Sequence, residues 1–164
     1  MLSAKIQDAM NKQINAELFS SHLYLSMAAD FEAKDLKGMA HWMRLQAGEE
    51  QQHAMRIFDF VNDRSGRVTL AAVEAPRSEW KSPLEAFEDA YKHEQKITGL
   101  INELMNLVAI ERDGAGHDFL EWFCREQVEE EAAAQLIVAQ LKLVGDSGVG
   151  LYLLDQELGK RAAN

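Results

Sequence analysis

Polar side chains interrupt the apolar stripe of four helical segments, and they keep the spacing of the stripe itself. Apolar residues recur at every third or fourth position along these segments, as expected for helices with one buried face. The polar residues at the buried positions are Glu17 in the first segment, Glu50 and His53 in the second, Glu94 in the third, and Gln127 and Glu130 in the fourth. Carboxylates and an imidazole are side chains that bind metal ions.

The interruptions lie at one height if the segments pair as two antiparallel hairpins. Each lies at a similar distance from the turn near residue 36 or the turn near residue 114. A shift of 77 positions also takes Glu17 to Glu94, Glu50 to Gln127 and His53 to Glu130. The two hairpins therefore look like copies related by an approximate two-fold axis, with the polar residues meeting in the middle of the bundle.

Four carboxylates in a helical core need compensation. One ionised carboxylate in an apolar interior costs several kcal/mol, and neighbouring carboxylates increase that cost. Protonation is one remedy, because burial raises the pKa of a carboxyl group. No Lys or Arg occupies these stripe positions, so we predict the other remedy, a pair of divalent cations bridged by carboxylates. A single mid-helix Glu would instead be interpreted as an exposed residue.

The ligand types indicate which metal this site takes. Oxygen-rich coordination with one imidazole and no thiolate favours iron or manganese over structural zinc. Zinc or copper would still be able to bind in vitro, since both stand high in the Irving–Williams order.

The elements that must position these residues are four long helices and one short one. We predict an all-α four-helix bundle with one long crossover loop over about 3–145 within a single domain, 1–164, and a short C-terminal helix over about 147–159. The predicted turns include Lys37-Gly38 and 113–116, Ser82 and Pro83 open the third helix, and Gly145 ends the fourth. The long connection 66–82 is able to cross the whole bundle and make the second and third helices parallel.

Composition bounds the class of protein. The chain has 164 residues, a net charge of −10 and one cysteine, Cys124. A single cysteine excludes an internal disulfide framework and a four-cysteine zinc site. The negative charge disfavours a nucleic-acid or membrane partner, and cations are the natural ligands of such a surface. The first residues contain no apolar signal-peptide region, so we expect a cytoplasmic protein.

Over essentially its full length the chain resembles the non-haem ferritins of bacteria and archaea. The similar stretches are NKQINAELFSSHLYLSMA, HWMRLQAGEEQQHAM, GRVTLAAVEAPRSEW, YKHE and FLEWFCREQVEEE. These motifs are specific in combination, although none of them would be specific alone.

The resemblance implies a ferroxidase centre within each subunit. It assigns a first iron site to Glu17, Glu50 and His53, and a second iron site to Glu50, Glu94 and Glu130, with Glu50 as the bridge. Gln127 matches a hydrogen-bonding position beside the two metals. A third iron site is implied at Glu49, Glu126 and Glu129, with Glu130 shared, although some of these acids also suit a solvated face.

Two aromatic residues lie near the implied centre. Tyr24 matches a neighbour of the iron pair that supplies an electron in the family, and an ordinary core aromatic is the alternative. Trp122 is either a neighbour of the centre or a packing residue, and Glu131 has no implied role. The remaining histidines show no paired spacing and are expected at the surface or in packing: His22, His41, His93 and His117.

Departures from related families narrow the resemblance. A bacterioferritin would carry a second Glu-x-x-His motif where Gln127 and Glu130 stand, and a haem-ligating Met where Gln51 and Gln52 stand, so no haem is expected. One cysteine cannot build the iron module of a rubrerythrin. DNA-protecting miniferritins place their ligands across a subunit interface and lack a fifth helix.

The expected function is iron storage and detoxification. The resemblance implies oxidation of Fe(II) by dioxygen or peroxide and storage of an iron oxide-hydroxide mineral inside a hollow homo-oligomer of 24 subunits. The short C-terminal segment, with Leu151, Leu153 and Leu154, would pack at the symmetry axes, and a monomer with this tail folded back is the alternative. Two rival functions are a di-iron oxidase or oxygenase acting on an organic substrate, and an inert structural subunit.

Overall fold

Five helices form the chain in a computed structural model that describes residues 2–163. They are α1 (Ala4–Ala33), α2 (Lys37–Asp63), α3 (Pro83–Ile110), α4 (Gly114–Val144) and α5 (Gly148–Leu158). The first four form the predicted four-helix bundle and α5 is the predicted short C-terminal helix, so the all-α fold is confirmed. The two end residues of the predicted domain, 1 and 164, lie outside the described residues. Across residues 2–163, no helix combines the length and apolar character that spanning a membrane requires.

Side-chain caps set most helix starts. Ser3, Ser82, Asp113 and Ser147 each accept a hydrogen bond from a backbone N–H in the first turn of the helix that follows. The start of α2 has no cap of its own, and the backbone N–H of Met39 donates instead to Asp155 Oδ1 of α5, at 2.8 Å. The side chain of a distant helix thus satisfies the N-terminus of α2.

Two predicted turns were misplaced by a few residues. Lys37-Gly38 and the glycines of 114–116 already belong to α2 and α4. The chain reverses shortly before these residues, at Asp35 (φ 58°) and at Arg112 (φ 56°). A backbone hydrogen bond to Phe31 O closes the first turn and one to Val108 O closes the second. This arrangement leaves the glycines free to begin helices.

The crossover 64–82 runs along α1 without regular secondary structure. Side chains of α1 bind its backbone: Asn11 donates to Arg67 O (3.0 Å), and Asn15 donates to Ala72 O (3.1 Å). Further along, Ser26 donates to Arg77 O at 2.7 Å. The crossover connects α2 to α3 so that these two helices run parallel.

The core consists of two apolar clusters separated by a polar layer. The upper cluster includes Met27, Phe31, Met43 and Phe87, and the lower cluster includes Ile6, Met10, Ile57, Ile101 and Phe123. Every helix of the bundle passes through both clusters, and between them each contributes the polar residues singled out above. The predicted candidate residues therefore do share one level of the bundle.

Candidate metal centre

Four helices bring their carboxylates together in the polar layer. Glu17 of α1, Glu50 of α2 and Glu94 of α3 are at most 2% exposed, and Glu130 of α4 is 7% exposed. Ligand atoms of Glu17, Glu50 and His53 lie within 4.8 Å of one another, and so do those of Glu50, Glu94 and Glu130. Glu50 is common to both groups, so its two oxygens are able to face two neighbouring cations.

The two groups differ in donor chemistry. The first contains an imidazole, whose Nδ1 lies 3.1 Å from Glu50 Oε2, and the second contains carboxylates alone. This difference follows from the internal repeat, because the hairpin position held by His53 in α2 is held by Glu130 in α4.

Two glutamines that the sequence interpretation missed orient the carboxylates. Gln13 Nε2 donates to Glu17 Oε1 at 2.7 Å. Gln46 Nε2 donates both to Glu50 Oε1, at 3.2 Å, and to Glu130 Oε2, at 2.5 Å. Each glutamine lies one helical turn before an acid of its own helix, Gln13 before Glu17 and Gln46 before Glu50. That spacing was the available signal in the sequence.

The layer contains more negative charge and more acceptor atoms than its partners satisfy. Glu17 Oε2 is buried and has no hydrogen-bond donor. Among residues 2–163, the four carboxylates form no ion pair with lysine or arginine; the imidazole of His53 beside Glu50 is the one basic partner. An orphaned carboxylate oxygen in a dry interior is costly. Divalent cations such as Fe(II) suit this donor set of carboxylates and one imidazole.

Burial raises the proton affinity of these acids. Loss of solvation, reinforced by the charge of Glu50, raises the pKa of Glu17 to about 8. Burial, together with the charge of Glu94, raises the pKa of Glu130 to about 7. The pKa values of Glu50 and Glu94 are raised for the same principal reason. Without cations the layer therefore holds protons near neutral pH, and cations must displace them.

Tyr24 and Gln127 both donate hydrogen bonds to Glu94. The Tyr24 hydroxyl donates to Glu94 Oε1, and burial with the nearby carboxylates raises the pKa of this tyrosine well above its usual value. Gln127 Nε2 donates to Glu94 Oε2 at 3.1 Å. Thr98 Oγ1 accepts from Gln127 (3.3 Å) and donates to Glu131 (2.5 Å), which extends the network outward.

The structure assembles the implied third site only in part. Glu126 joins His53 and Glu130 in a further group whose ligand atoms lie within 4.8 Å of one another. Glu49 forms an ion pair with Arg161, with Nη2 2.5 Å from Oε2, and Glu129 is exposed. Glu49 and Glu126 line one cleft of about 710 Å³ that reaches inward to His53.

Trp122 lies against the centre. Its ring meets His53 edge-on with centroids 5.4 Å apart, and the guanidinium of Arg56 stacks 4.2 Å from the Trp122 ring. Of the other histidines, His93 is buried against α1, where Ser20 Oγ lies 2.7 Å from its Nε2. Burial lowers the pKa of His93 to about 4, so it packs as a neutral ring. His22, His41 and His117 do not belong to the ligand groups described above.

Comparison with known proteins gives one consistent family. The sequence model of the ferritin-like domain matches residues 7–144. The chain is 44% identical over 161 residues to a bacterial non-heme ferritin of Bacteroides fragilis, which covers 98% of the chain and 100% of that protein. It is 38% identical to a bacterial non-heme ferritin of Staphylococcus saprophyticus, over 99% of the chain and 97% of that protein.

Solved structures agree with this match. An open-pore ferritin from the hyperthermophilic archaeon Archaeoglobus fulgidus superimposes with a TM-score of 0.98 at 51% identity, covering 99% of this chain and 100% of that chain. A closed form of the same ferritin, engineered by site-directed mutagenesis, gives a TM-score of 0.99 at 51% identity, with complete coverage of both chains.

Proposed function

The chain belongs to the ferritin family, and we propose that it stores and detoxifies iron by oxidising Fe(II) to Fe(III) at the polar layer of each subunit. The single observation that carries the proposal is the pair of buried ligand groups sharing Glu50. Two cations held by one carboxylate lie close enough for one oxidant molecule to react with both. The relatives named non-heme ferritin support iron as the substrate.

The proposed reaction takes one electron from each of two Fe(II) ions. With dioxygen as the acceptor, the two electrons and two protons give hydrogen peroxide; with peroxide as the acceptor, they give water. Hard carboxylate oxygens favour Fe(III) over Fe(II), so the donor set makes oxidation easier. Hydrolysis of Fe(III) releases protons and yields the oxide-hydroxide mineral.

The chain's own groups support this chemistry in distinct ways. Gln13 and Gln46 fix the carboxylate orientations, so little reorganisation is needed when Fe(II) binds. Tyr24 stays protonated because its hydroxyl donates to Glu94. It is placed to give an electron and its proton when the oxidant needs an electron beyond the two from iron. The acids that hold protons near neutral pH release them as Fe(II) enters.

We further propose that the chain assembles into a hollow cytoplasmic shell of 24 subunits. The clefts that residues 2–163 form, such as the one of about 710 Å³ that reaches His53, are too small to hold a mineral, so storage requires a container. Support comes from the similarity to the Archaeoglobus fulgidus ferritin, which is described as an open-pore ferritin. Exposed apolar side chains at the end of α4 and on α5 offer surface for neighbouring copies: Leu143, Val149, Tyr152 and Leu153. Leu154, which we predicted to lie at the symmetry axes, is instead buried in the upper apolar cluster of its own chain, and Leu151 is partly buried against that cluster.

The test replaces Glu50, which the two buried ligand groups share, and His53, which supplies the imidazole of the first group. Glu50→Ala and His53→Ala should abolish rapid Fe(II) oxidation, followed by ferric absorbance after mixing with air-saturated buffer, while light scattering still reports the assembled particle. The matched controls are Glu103→Ala and His117→Ala, two side chains outside the layer. Undiminished rates in both ligand variants would refute the proposal.

The same measurement distinguishes iron storage from the rival function, a di-iron oxidase acting on an organic substrate. An oxidase acting on an organic substrate would consume little oxygen until that substrate is supplied. A storage protein oxidises Fe(II) with no organic compound present and yields particles with an iron core.

A further inference from the structure

The end of the chain reaches the candidate metal centre. Arg161 lies just beyond α5, yet its Nη2 is 2.5 Å from Glu49 Oε2 and its Nη1 is 2.9 Å from Gln46 Oε1, both on α2. The two side chains of the ion pair are only 21% and 13% exposed. The pair is thus largely withdrawn from solvent, where a charge–charge contact is stronger than at the surface.

Several further contacts hold Arg161 in place. Its guanidinium lies 4.6 Å from the centre of the Trp42 ring, and Nη1 is 3.4 Å from Trp42 O. His41 Nε2 lies 2.8 Å from the backbone oxygen of Arg161. Arginine only donates hydrogen bonds, so its contact fixes Gln46 with Oε1 outward and Nε2 toward Glu50 and Glu130.

Glu49 is also one wall of the cleft that leads to the outer ligand group. Glu126, on the other side of this cleft, belongs with His53 and Glu130 to that group. A cation bound there would compete with the guanidinium for the negative charge of Glu49, whose Oε2 already pairs with Arg161. Glu49 therefore lies between the guanidinium of Arg161 and a cation that would arrive from solution.

We propose that Arg161 is the counter-ion of Glu49 beside the outer ligand group and competes with iron for this carboxylate, an inference that rests on the proposed function. In this arrangement Arg161 weakens binding of the third cation and leaves the inner pair of sites to fill first. Binding of the third cation would also release the guanidinium from Gln46, which ties the position of the C-terminal segment to the occupancy of the centre.

The test is an anaerobic calorimetric titration of the assembled, metal-free protein with Fe(II). In the natural protein we expect two tight equivalents per subunit and a weaker third. Arg161→Gln should tighten the third equivalent by about tenfold, since it removes a charge-assisted contact with Glu49. The matched control is Lys160→Gln, which removes the same charge one residue earlier, from a lysine that pairs with Glu157 at the surface.

A double-mutant cycle separates competition from a structural effect. In a Glu49→Gln background, Arg161→Gln should give no further gain, because the contested carboxylate is gone. An unchanged third equivalent in Arg161→Gln would overturn the inference, and so would a gain that survives in the Glu49→Gln background. Crystals of the natural protein soaked in Fe(II) should show Arg161 turned away from Glu49 wherever anomalous density marks the third ion. Failure of the first two equivalents to bind would instead overturn the proposed function, and this inference with it.

Discussion

Replacing Glu17 by glutamine should stabilise the metal-free protein at alkaline pH while it weakens metal binding. Glu17 is buried, one of its oxygens has no donor, and burial with the charge of Glu50 raises its pKa to about 8. Glutamine has nearly the same shape, keeps an oxygen for the Gln13 donor, and never carries the charge. The ionised Glu17 therefore lowers the stability of the metal-free protein at alkaline pH, and a bound cation offsets this loss.

The sign and size of the effect follow from the pKa difference. A group whose pKa is higher in the folded protein binds more protons when folded, so the free energy of unfolding falls as pH rises between the two values. For Glu17 this window runs from 4.5 to about 8. By pH 8 the loss amounts to about 4 kcal/mol, against about 1 kcal/mol at pH 5. In a chain of this length, a difference of about 3 kcal/mol moves the melting temperature by roughly 10 °C.

The assay is a pair of thermal melts, at pH 5 and pH 8, on protein stripped of metal by chelation. Glu17→Gln should melt close to the natural protein at pH 5 and clearly above it at pH 8, and adding Fe(II) anaerobically should reverse the order. Glu103→Gln removes an exposed carboxylate of α3 and serves as the control. Parallel pH dependence in the natural protein and Glu17→Gln would refute the reasoning, since it would mean that Glu17 titrates as an ordinary solvated acid.

Three further predictions concern other parts of the molecule. Gly38→Ala should undock α5, because the new Cβ would lie 1.7 Å from Asp155 O, and it should lower both the melting temperature and the particle mass seen by light scattering. The control Gly99→Ala has open space around the new Cβ and should instead stabilise the protein by up to about 1 kcal/mol. Tyr24→Phe removes the donor to Glu94, so stopped-flow absorbance should show slower Fe(II) oxidation by several-fold with Fe(II) binding largely retained. Anaerobic Fe(II) binding should release more protons at pH 6 than at pH 9, as measured with an indicator dye, because cations displace protons from the two acids with pKa values of about 8 and about 7, Glu17 and Glu130.

The fold was predictable because its signals are local and repeat many times. Helical spacing defines the four long segments. Neighbouring residues then mark helix boundaries, such as Ser82 before Pro83 at the start of α3 and Gly145 at the end of α4. The level of the candidate residues followed from spacing and from the internal repeat. The misplaced turn at 113–116 shows the limit, because Arg112 reverses the chain in a conformation that sequence usually assigns to glycine.

The parts that were missed depend on contacts between distant positions. Arg161 and Glu49 are 112 residues apart, and no periodicity marks the segment after α5 as facing α2. Gln46 lies one helical turn before Glu50, but a glutamine at that spacing does not by itself indicate that it bridges two acids on different helices. The ion pair between Glu49 and Arg161 was missed for the same reason, because nothing near Glu49 in the sequence marks the partner.

The hydrogen bonds from α1 to the crossover limit how this connection is able to vary. Three side chains of α1 bind peptide groups that lie five residues apart along the crossover, so α1 fixes the position of this segment along the helix. Inserting or deleting one residue there would shift every later peptide group out of reach of its donor. Proteases that need to pull a flexible stretch into their cleft should also find this exposed segment resistant, and a trypsin time course would reveal that protection at Arg67 and Arg77.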